Sequence, residues 1–234
     1  MMIVLLIGSM KLPSLTISDR KQYTTTHGKE MKSLLSIGVA AAAIAAPSAA
    51  MADTLNAAGA SFPAPIYQAW FQNYAKQTGN QVNYQAVGSG AGVRQYKAGT
   101  TDFGASDKAV SDKKLKGISR PMVQIPMTGG AIAVAYNKPG CDLKITQTEL
   151  VRVFYGDIDN WSHFGCGNQP ITVAVRSDGS GTTAGFTNSL SAFSNKWKLM
   201  VGRGKAINWP ASNTVAGKGN SGVAGVIKNT EGAI

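Results

Sequence analysis

Residues 170–183 read PITVAVRSDGSGTT, and this stretch indicates the fold class more clearly than any other. Pro170–Arg176 predicts a buried strand, because apolar and β-branched residues dominate it. The glycines and hydroxyl residues that follow predict a loop and then a helix that runs to about Phe193. A strand that leads through a short loop into a helix is the repeating unit of α/β proteins with a mostly parallel sheet.

The same alternation continues on both sides of this stretch. The clearest helix is Ala64–Gln77, where Ile66, Trp70 and Tyr74 recur every four residues and Gly79 is placed to end the helix. The other predicted strands are Gln81–Val87, Thr101–Ala105 and Ala131–Tyr136, and the other predicted helices are Gly92–Ala98, Thr148–Tyr155 and Ser221–Lys228. In such folds, ligands bind where loops leave the carboxyl ends of strands and helices begin.

Composition narrows the classes of function. The 234 residues are 44% hydrophobic, which is too apolar for a disordered chain, and the formal net charge is +11. With 2 histidines and 2 cysteines, a zinc cluster or a disulfide-rich miniprotein is not expected. Cys141 and Cys166 are expected to form a disulfide if the protein is exported, the alternative being two free buried thiols.

The N-terminal region predicts export. Met31-Lys32 precedes an apolar stretch that is too short to span a bilayer, and Ala50-Met51-Ala52 follows it. This pattern is typical of a secretory signal peptide over residues 31–52, with cleavage after Ala52. Residues 1–30 are interpreted as an upstream extension, because a signal peptide acts from the N-terminus of its chain.

Three junctions between a loop and a helix share one chemical character. Glycine and small hydroxyl residues occupy Gly59–Pro63, Gly88–Gly92 and Ser180–Thr182. Helix N-termini have unpaired backbone N–H groups and a partial positive charge, so small residues there let an anion approach closely. Each junction alone is more typical of ordinary helix capping than of an anion site. Together they predict a converging anion site.

Two charged residues lie next to these junctions. Arg176 ends a predicted strand, where its guanidinium could bind a tetrahedral oxyanion by two parallel N–H bonds, and Asp178 could hold that guanidinium in place. Asp107 follows the strand that ends near Ala105. A carboxylate suits an anion site only if the anion donates a proton, as hydrogen phosphate does and sulfate does not. The alternatives are that Asp107 caps a turn and that Arg176 pairs with Asp178 without contacting a ligand.

Several motifs together resemble the periplasmic phosphate-binding proteins of ABC-type phosphate uptake systems. The resemblance runs from about Leu55 to Ile234, and it implies a type II periplasmic-binding-protein fold, in which two α/β lobes close on a phosphate ion. The motifs are Gly59–Tyr67, Val82–Gln85 with Gly88–Gly90, Asp102–Asp107, Arg176–Thr183, Gly217–Val223 and Gly232–Ile234.

Carried over position by position, the resemblance implies a ligand set held mainly by hydrogen bonds. The implied donors are Ser61, Phe62, Ser89, Arg176, Ser180, Gly181 and Thr182; Asp107 is the acceptor, and Asp178 supports Arg176 from behind. Arg176 would be the single full positive charge on the anion. No metal and no cofactor are implied.

The resemblance also implies domains and partners. We expect residues 53–128 to belong to the first lobe and residues 129–234 to the second. Family members continue beyond the equivalent of Gly232–Ile234 into a strand and a further C-terminal region, so we expect an incomplete second lobe. The implied protein is a periplasmic monomer that binds inorganic phosphate and delivers it to an ABC transporter permease and ATPase complex.

Three alternatives compete with this interpretation: a binder of a sulfate-like oxyanion, a phosphate-ester hydrolase and a nucleic-acid-binding module. A phosphate-ester hydrolase would need a nucleophile with a base, or a metal. After Ala52 the one histidine is His163, and Asp157 and Asp159 are typical turn residues. A nucleic-acid-binding module is not expected either, because the positive charge is scattered, with one cluster at Lys113–Lys116.

Overall fold

The computed structural model describes residues 2–7 and 52–234. The strands are β1 (Met2–Ile7), β2 (Thr54–Gly59), β3 (Gln81–Gln85), β4 (Phe103–Ser106), β5 (Val123–Gly129), β6 (Val173–Arg176) and β7 (Thr214–Gly217). The helices are α1 (Ala64–Thr78), α2 (Ser89–Ala98), α3 (Asp112–Leu115), α4 (Gln147–Tyr155), α5 (Gly181–Phe193), α6 (Asn195–Met200) and α7 (Gly219–Asn229). A 3-10 helix covers Trp161–Phe164. The protein is thus a mixed α/β protein, as the sequence predicts.

The larger sheet has five strands in the order β3-β2-β4-β1-β5. Strand β2 pairs in parallel with β3 and β4, while β1 runs antiparallel between β4 and β5. Because β2 and β4 are parallel neighbours, Gly59 lies opposite Ala105, and the loops after both strands leave from one edge of the sheet. That edge carries Ser61 and Asp107, which are 46 residues apart in sequence.

Helix α1 begins at the predicted residue and ends one residue later than predicted, at Thr78, but it presents a different face to the core. Gly79 ends it at φ 78°, donating its N–H to Ala75 O, as expected for a glycine after a helix. Tyr67 is the buried ring, packed against Phe71 and Tyr84, whereas Ile66, Trp70 and Tyr74 are about two-fifths exposed. The four-residue recurrence therefore predicts the helix correctly but marks the side facing away from the sheet.

The second sheet, made of β6 and β7 in parallel, has a separate apolar core. Trp161 and Trp197 are completely buried, and the Trp161 indole N–H donates to Gly232 O at 2.9 Å. Cys141 and Cys166 form a disulfide with their Cα atoms 5.4 Å apart. The boundary expected between residues 128 and 129 falls at the end of β5 and stays a prediction.

The predicted strand Ala131–Tyr136 is wrong. Residues 131–136 form no strand, and all but Ile132 are exposed. Next to this segment, a single bridge joins Asn137 to Ala233. Among residues 2–7 and 52–234, residues 131–136 therefore pair with no strand. An apolar sequence predicts a strand only if the fold supplies a partner for its backbone groups.

Four of the observed strands, β1, β2, β5 and β7, were not predicted from the sequence. Residues 2–7 form β1 of the larger sheet, although they fall within the expected extension, residues 1–30. Strand β5 includes Pro126, which weakens its strand pattern. Residues 8–51 lie outside the described part of the chain and include nearly all of the expected signal peptide. Within residues 2–7 and 52–234, no helix combines the length and hydropathy needed to cross a membrane.

Candidate functional site

The three predicted junctions meet in the structure. The backbone N–H of Gly88, in the second junction, donates to Gly59 O of the first junction at 2.8 Å. The N–H of Gly90 donates to Gly179 O at 2.8 Å, which joins α2 to the loop before α5. The third contact runs from Thr182 Oγ1 to Asp107 Oδ2 at 3.5 Å. The sequence predicts each junction, and the fold brings their helix N-termini together.

Glycines permit this close approach. A Cβ atom on Gly181 would lie 2.3 Å from Asp107 Cβ, and one on Gly88 would lie 2.1 Å from Asp178 Oδ2. Neither position therefore tolerates a side chain without a shift of the facing element. Gly88 also has φ 91°, a backbone conformation that favours glycine.

Arg176 is held by four hydrogen bonds. Its Nε donates to Asp178 Oδ1 at 2.8 Å, and its Nη2 donates to Asp178 Oδ2. Its Nη1 donates to Ser180 Oγ at 2.9 Å and to Asn220 Oδ1 at 2.7 Å. Since the Arg176 side chain is only 7% exposed, these bonds fix the guanidinium in one orientation.

Asp178 joins Arg176 to the start of α7. Besides both bonds from Arg176, its Oδ1 accepts the backbone N–H of Gly219 at 2.9 Å. Burial alone would raise the pKa of the Asp178 carboxyl, but the hydrogen bonds from Arg176 and Gly219 hold that pKa below its usual value. Asp178 is therefore a carboxylate that links β6 to the start of α7.

Asp107 is the most unusual residue of the cluster. It is 7% exposed, and its Oδ1 has no hydrogen-bond partner among the described residues. Its backbone N–H donates to the buried Ser89 Oγ at 3.2 Å. Burial raises the pKa of the Asp107 carboxyl, an effect that the Ser89 hydroxyl, Arg176, Lys205 and the Thr182 hydroxyl oppose. A buried carboxylate oxygen without a partner is costly, so this atom is suited to accept a proton donor from a ligand.

Helix α5 directs its N-terminus into the same cluster. Ser180 precedes the helix and is completely buried, and its Oγ accepts the N–H of Thr183 at 3.0 Å. This cap satisfies one of the orphan N–H groups of the first turn. Gly181 and Thr182 start the helix beside Asp107, where their N–H groups and the helix dipole favour an anion.

Two residues of the cluster were not assigned roles from the sequence. Asn220 connects Ser61 to Arg176 through its backbone and its side chain, although it lies 159 residues from Ser61. Lys205 donates from Nζ to Ser106 Oγ at 2.9 Å, next to Asp107. Asn220 lies in the recognisable motif Gly217–Val223, whereas no sequence signal marks Lys205.

An apolar cavity of about 300 Å³ borders the cluster without containing it. Segment 131–135, strand β6 and helix α7 form most of its wall, and Arg176, Thr182 and Asn220 form its polar end. Asp107 and Ser89 do not line it. The cavity is thus the space beside the segment that fails to form a strand, and it reaches the proposed donors Arg176 and Thr182 but not the acceptor Asp107.

The features of the hydrolase alternative lie elsewhere. His163 Nε2 contacts Glu149 Oε1 at 3.3 Å, and Asp157 Oδ2 contacts the exposed Lys196 at 3.3 Å. In the described part of the chain, no group of three or more His, Cys, Asp or Glu side chains is arranged to hold a metal. The cluster itself consists of hydrogen-bond donors and acceptors around Asp107 and Arg176.

Comparison with known proteins assigns the family. A family model described as the PBP superfamily domain matches residues 45–234. The chain belongs to the PBP superfamily. Among curated PBP relatives, the phosphate-binding protein PstS of Haemophilus influenzae is 43% identical over 198 residues, which cover 79% of this chain and 58% of the relative. PstS of Pasteurella multocida is 41% identical, covering 78% of this chain and 56% of the relative.

A solved PBP structure agrees with this assignment. A high affinity periplasmic phosphate-binding protein (PfluDING) bound with phosphate is 26% identical and superposes with a TM-score of 0.60, covering 77% of this chain and 55% of its own. The periplasmic-binding-protein fold expected from the motifs is therefore confirmed. The chain spans somewhat over half the length of these curated relatives.

Proposed function

We propose that this protein binds inorganic phosphate at the cluster around Asp107 and Arg176. The observation that carries the proposal is the buried Asp107 Oδ1, which has no partner in the described part of the chain. Hydrogen phosphate has a proton to donate to that oxygen and further oxygens to accept bonds from uncharged donors. The proposed donors are Ser61, Phe62, Ser89, Ser180, Gly181 and Thr182, together with Arg176.

The alternative of a sulfate-like ligand fits the cluster less well. Sulfate carries no proton at neutral pH, so it would bring an unprotonated oxygen to a buried carboxylate and leave Oδ1 unsatisfied. The curated relatives are named phosphate-binding proteins and not enzymes, which favours binding without turnover. We therefore propose a receptor and not a phosphate-ester hydrolase.

We also propose that the receptor is a periplasmic monomer that delivers phosphate to an ABC transporter permease and ATPase complex. The similarity to PstS proteins and to a periplasmic phosphate-binding protein supports this role. Closure of the junctions on the anion would give the transporter a bound form to recognise.

Titration calorimetry with phosphate and with sulfate tests the binding proposal. Phosphate should bind at least about a hundredfold more tightly, since the mismatch at Asp107 amounts to about 3 kcal/mol. Equal affinities would contradict it, and release of phosphate from an aryl phosphate ester would favour the hydrolase. Phosphate-dependent stimulation of a reconstituted transporter's ATPase activity tests delivery, and light scattering after gel filtration tests the monomer.

A further inference from the structure

Lys205 lies where the first sheet and helix α5 approach each other. Its Nζ donates to Oγ of Ser106, a completely buried residue that directly precedes Asp107. Its backbone C=O accepts the N–H of Ser180 at 2.8 Å, immediately before the first turn of α5. The next backbone group, Gly204 N–H, is bonded to Thr187 Oγ1 of the same helix at 3.1 Å. The loop is therefore fixed to α5, and the ammonium is fixed to the strand that carries Asp107.

The surroundings make this ammonium sensitive to the charge of the site. Burial lowers the pKa of Lys205 to about 8, and the neighbouring Asp107 opposes that shift. The remaining charged groups that act on Lys205 are Lys114 and Lys108. The charged groups that act on Asp107 are Arg176 and Lys205. The Asp107 charge in turn helps to raise the pKa of the neighbouring phenols Tyr67 and Tyr84.

Arg176 and Lys205 are the two cations that oppose the effect of burial on the Asp107 carboxyl, and Arg176 acts the more strongly of the two. The Arg176 guanidinium, however, is already paired with Asp178 through two hydrogen bonds and is itself a proposed donor to the anion. None of the five ion pairs found among the described residues engages Lys205. Lys205 is therefore the cation acting on Asp107 that belongs neither to an ion pair nor to the proposed ligand set.

We propose that Lys205 determines the anion specificity of this site: its ammonium keeps Asp107 charged, and thereby keeps Asp107 an acceptor that selects a protonated oxyanion over sulfate. This inference rests on the proposed phosphate site. Without the ammonium, burial favours the neutral carboxyl group. A neutral Asp107 has a proton of its own to donate, so it can bind a sulfate oxygen that the charged form excludes.

The test compares Lys205→Met with Lys76→Met in the full chain. Lys76 is exposed in the last turn of α1 and is not among the charged groups that act on Lys205 or Asp107, so Lys76→Met removes the same charge outside the site. Phosphate and sulfate affinities are measured by calorimetry between pH 5.5 and 8.5. Sulfate is the clean probe, because it does not titrate in this range. A single neighbouring charge changes the balance between the two forms of a partly buried carboxyl by about tenfold or more.

Lys205→Met should therefore reduce phosphate-over-sulfate discrimination at pH 7 by about tenfold or more, and sulfate binding should appear at a higher pH than in the wild type. Lys76→Met should keep the wild-type profile, and so should Lys205→Arg, which retains the positive charge. In an Asp107→Asn background, Lys205→Met should leave the ratio of the two affinities unchanged, because no carboxyl remains to be kept charged.

An unchanged ratio in Lys205→Met, or an equal change in Lys76→Met, would overturn the inference. So would a loss of discrimination that persists in the Asp107→Asn background. Lys205→Gln provides the same comparison if the methionine variant does not fold. Failure of the wild type to bind phosphate would instead refute the proposed function, so the two failures are distinguishable.

Discussion

Replacing Asp107 with asparagine tests the chemistry of the site most directly. The substitution keeps the size of the side chain and the backbone bond from Asp107 N–H to Ser89 Oγ, but it exchanges an acceptor-only carboxylate for an amide with two donors. Because the residue is buried beside Gly181, its side chain has little room to turn away. The change therefore replaces a group that accepts a proton donor from the ligand with a group that can itself donate to the ligand.

The magnitude follows from the partnerless Oδ1. A hydrogen bond to a charged group contributes about 1.5–3 kcal/mol, or about 10- to 150-fold in affinity. The asparagine variant loses the charge-assisted bond from the phosphate hydroxyl, so phosphate affinity should fall within this range. Sulfate affinity should rise, because the amide N–H groups can donate to an unprotonated oxygen and the repulsion by a buried carboxylate is removed.

Calorimetry with both anions at pH 7.5 measures the two effects, and thermal unfolding of the unliganded variant shows whether the fold is intact. The control is Asp112→Ser. It also removes one carboxylate, but Asp112 is exposed in α3 and does not belong to the cluster around Asp107. The reasoning is refuted if Asp107→Asn keeps the wild-type ratio of phosphate to sulfate affinity while remaining folded.

Three further substitutions probe the elements that build the site. Gly181→Ala should weaken phosphate binding by about tenfold or more in calorimetry, because its Cβ would clash with Asp107, whereas Gly225→Ala, which has open space around it, should bind normally. Arg176→Lys should lose about a hundredfold in phosphate affinity, since an ammonium cannot reproduce the guanidinium's bonds to Asp178, Ser180 and Asn220. Retention of wild-type affinity would show that only the positive charge matters. Replacing both Cys141 and Cys166 with serine should reduce the free energy of unfolding by about 3.5 kcal/mol, because the disulfide closes a loop of this length in the unfolded chain. Urea titrations measure the change, and an unchanged midpoint would show that the disulfide does not stabilise the fold.

Local signals made five of the seven described helices predictable, α3 and α6 being the exceptions. Helix α4 is bounded by a capping box at Thr146 and Glu149 and by Gly156 at its end, all of which can be read from neighbouring residues. Strand β6 and helix α5 follow from one continuous stretch of sequence. Where the observed bounds differ, as at Ser89 for α2, the helix begins inside a glycine-rich junction whose residues are individually poor helix formers.

Long-range pairing could not be predicted in the same way. Strand β1 lies between β4 and β5, so its place depends on residues about a hundred positions away. Segment 131–136 has the residue types of a strand but not the neighbouring strand that would make it one. Tyr67 and not Trp70 faces the sheet, because Tyr84 and Phe103 define where the aromatic cluster lies. These features depend on which elements meet, and local sequence does not specify that.

The charges of the site clarify why selectivity depends on protons and not on attraction alone. Two cations, Arg176 and Lys205, face two carboxylates, Asp178 and Asp107, so the cluster is close to neutral when all four groups are ionised. The formal charge of +11 is therefore not concentrated there, and an anion gains little from net attraction. Its binding must come from oriented dipoles, such as the N-terminus of α5, which favour any small oxyanion alike. Discrimination between oxyanions of similar shape therefore depends on the acceptor Asp107, and the neighbours of Asp107 control its protonation state.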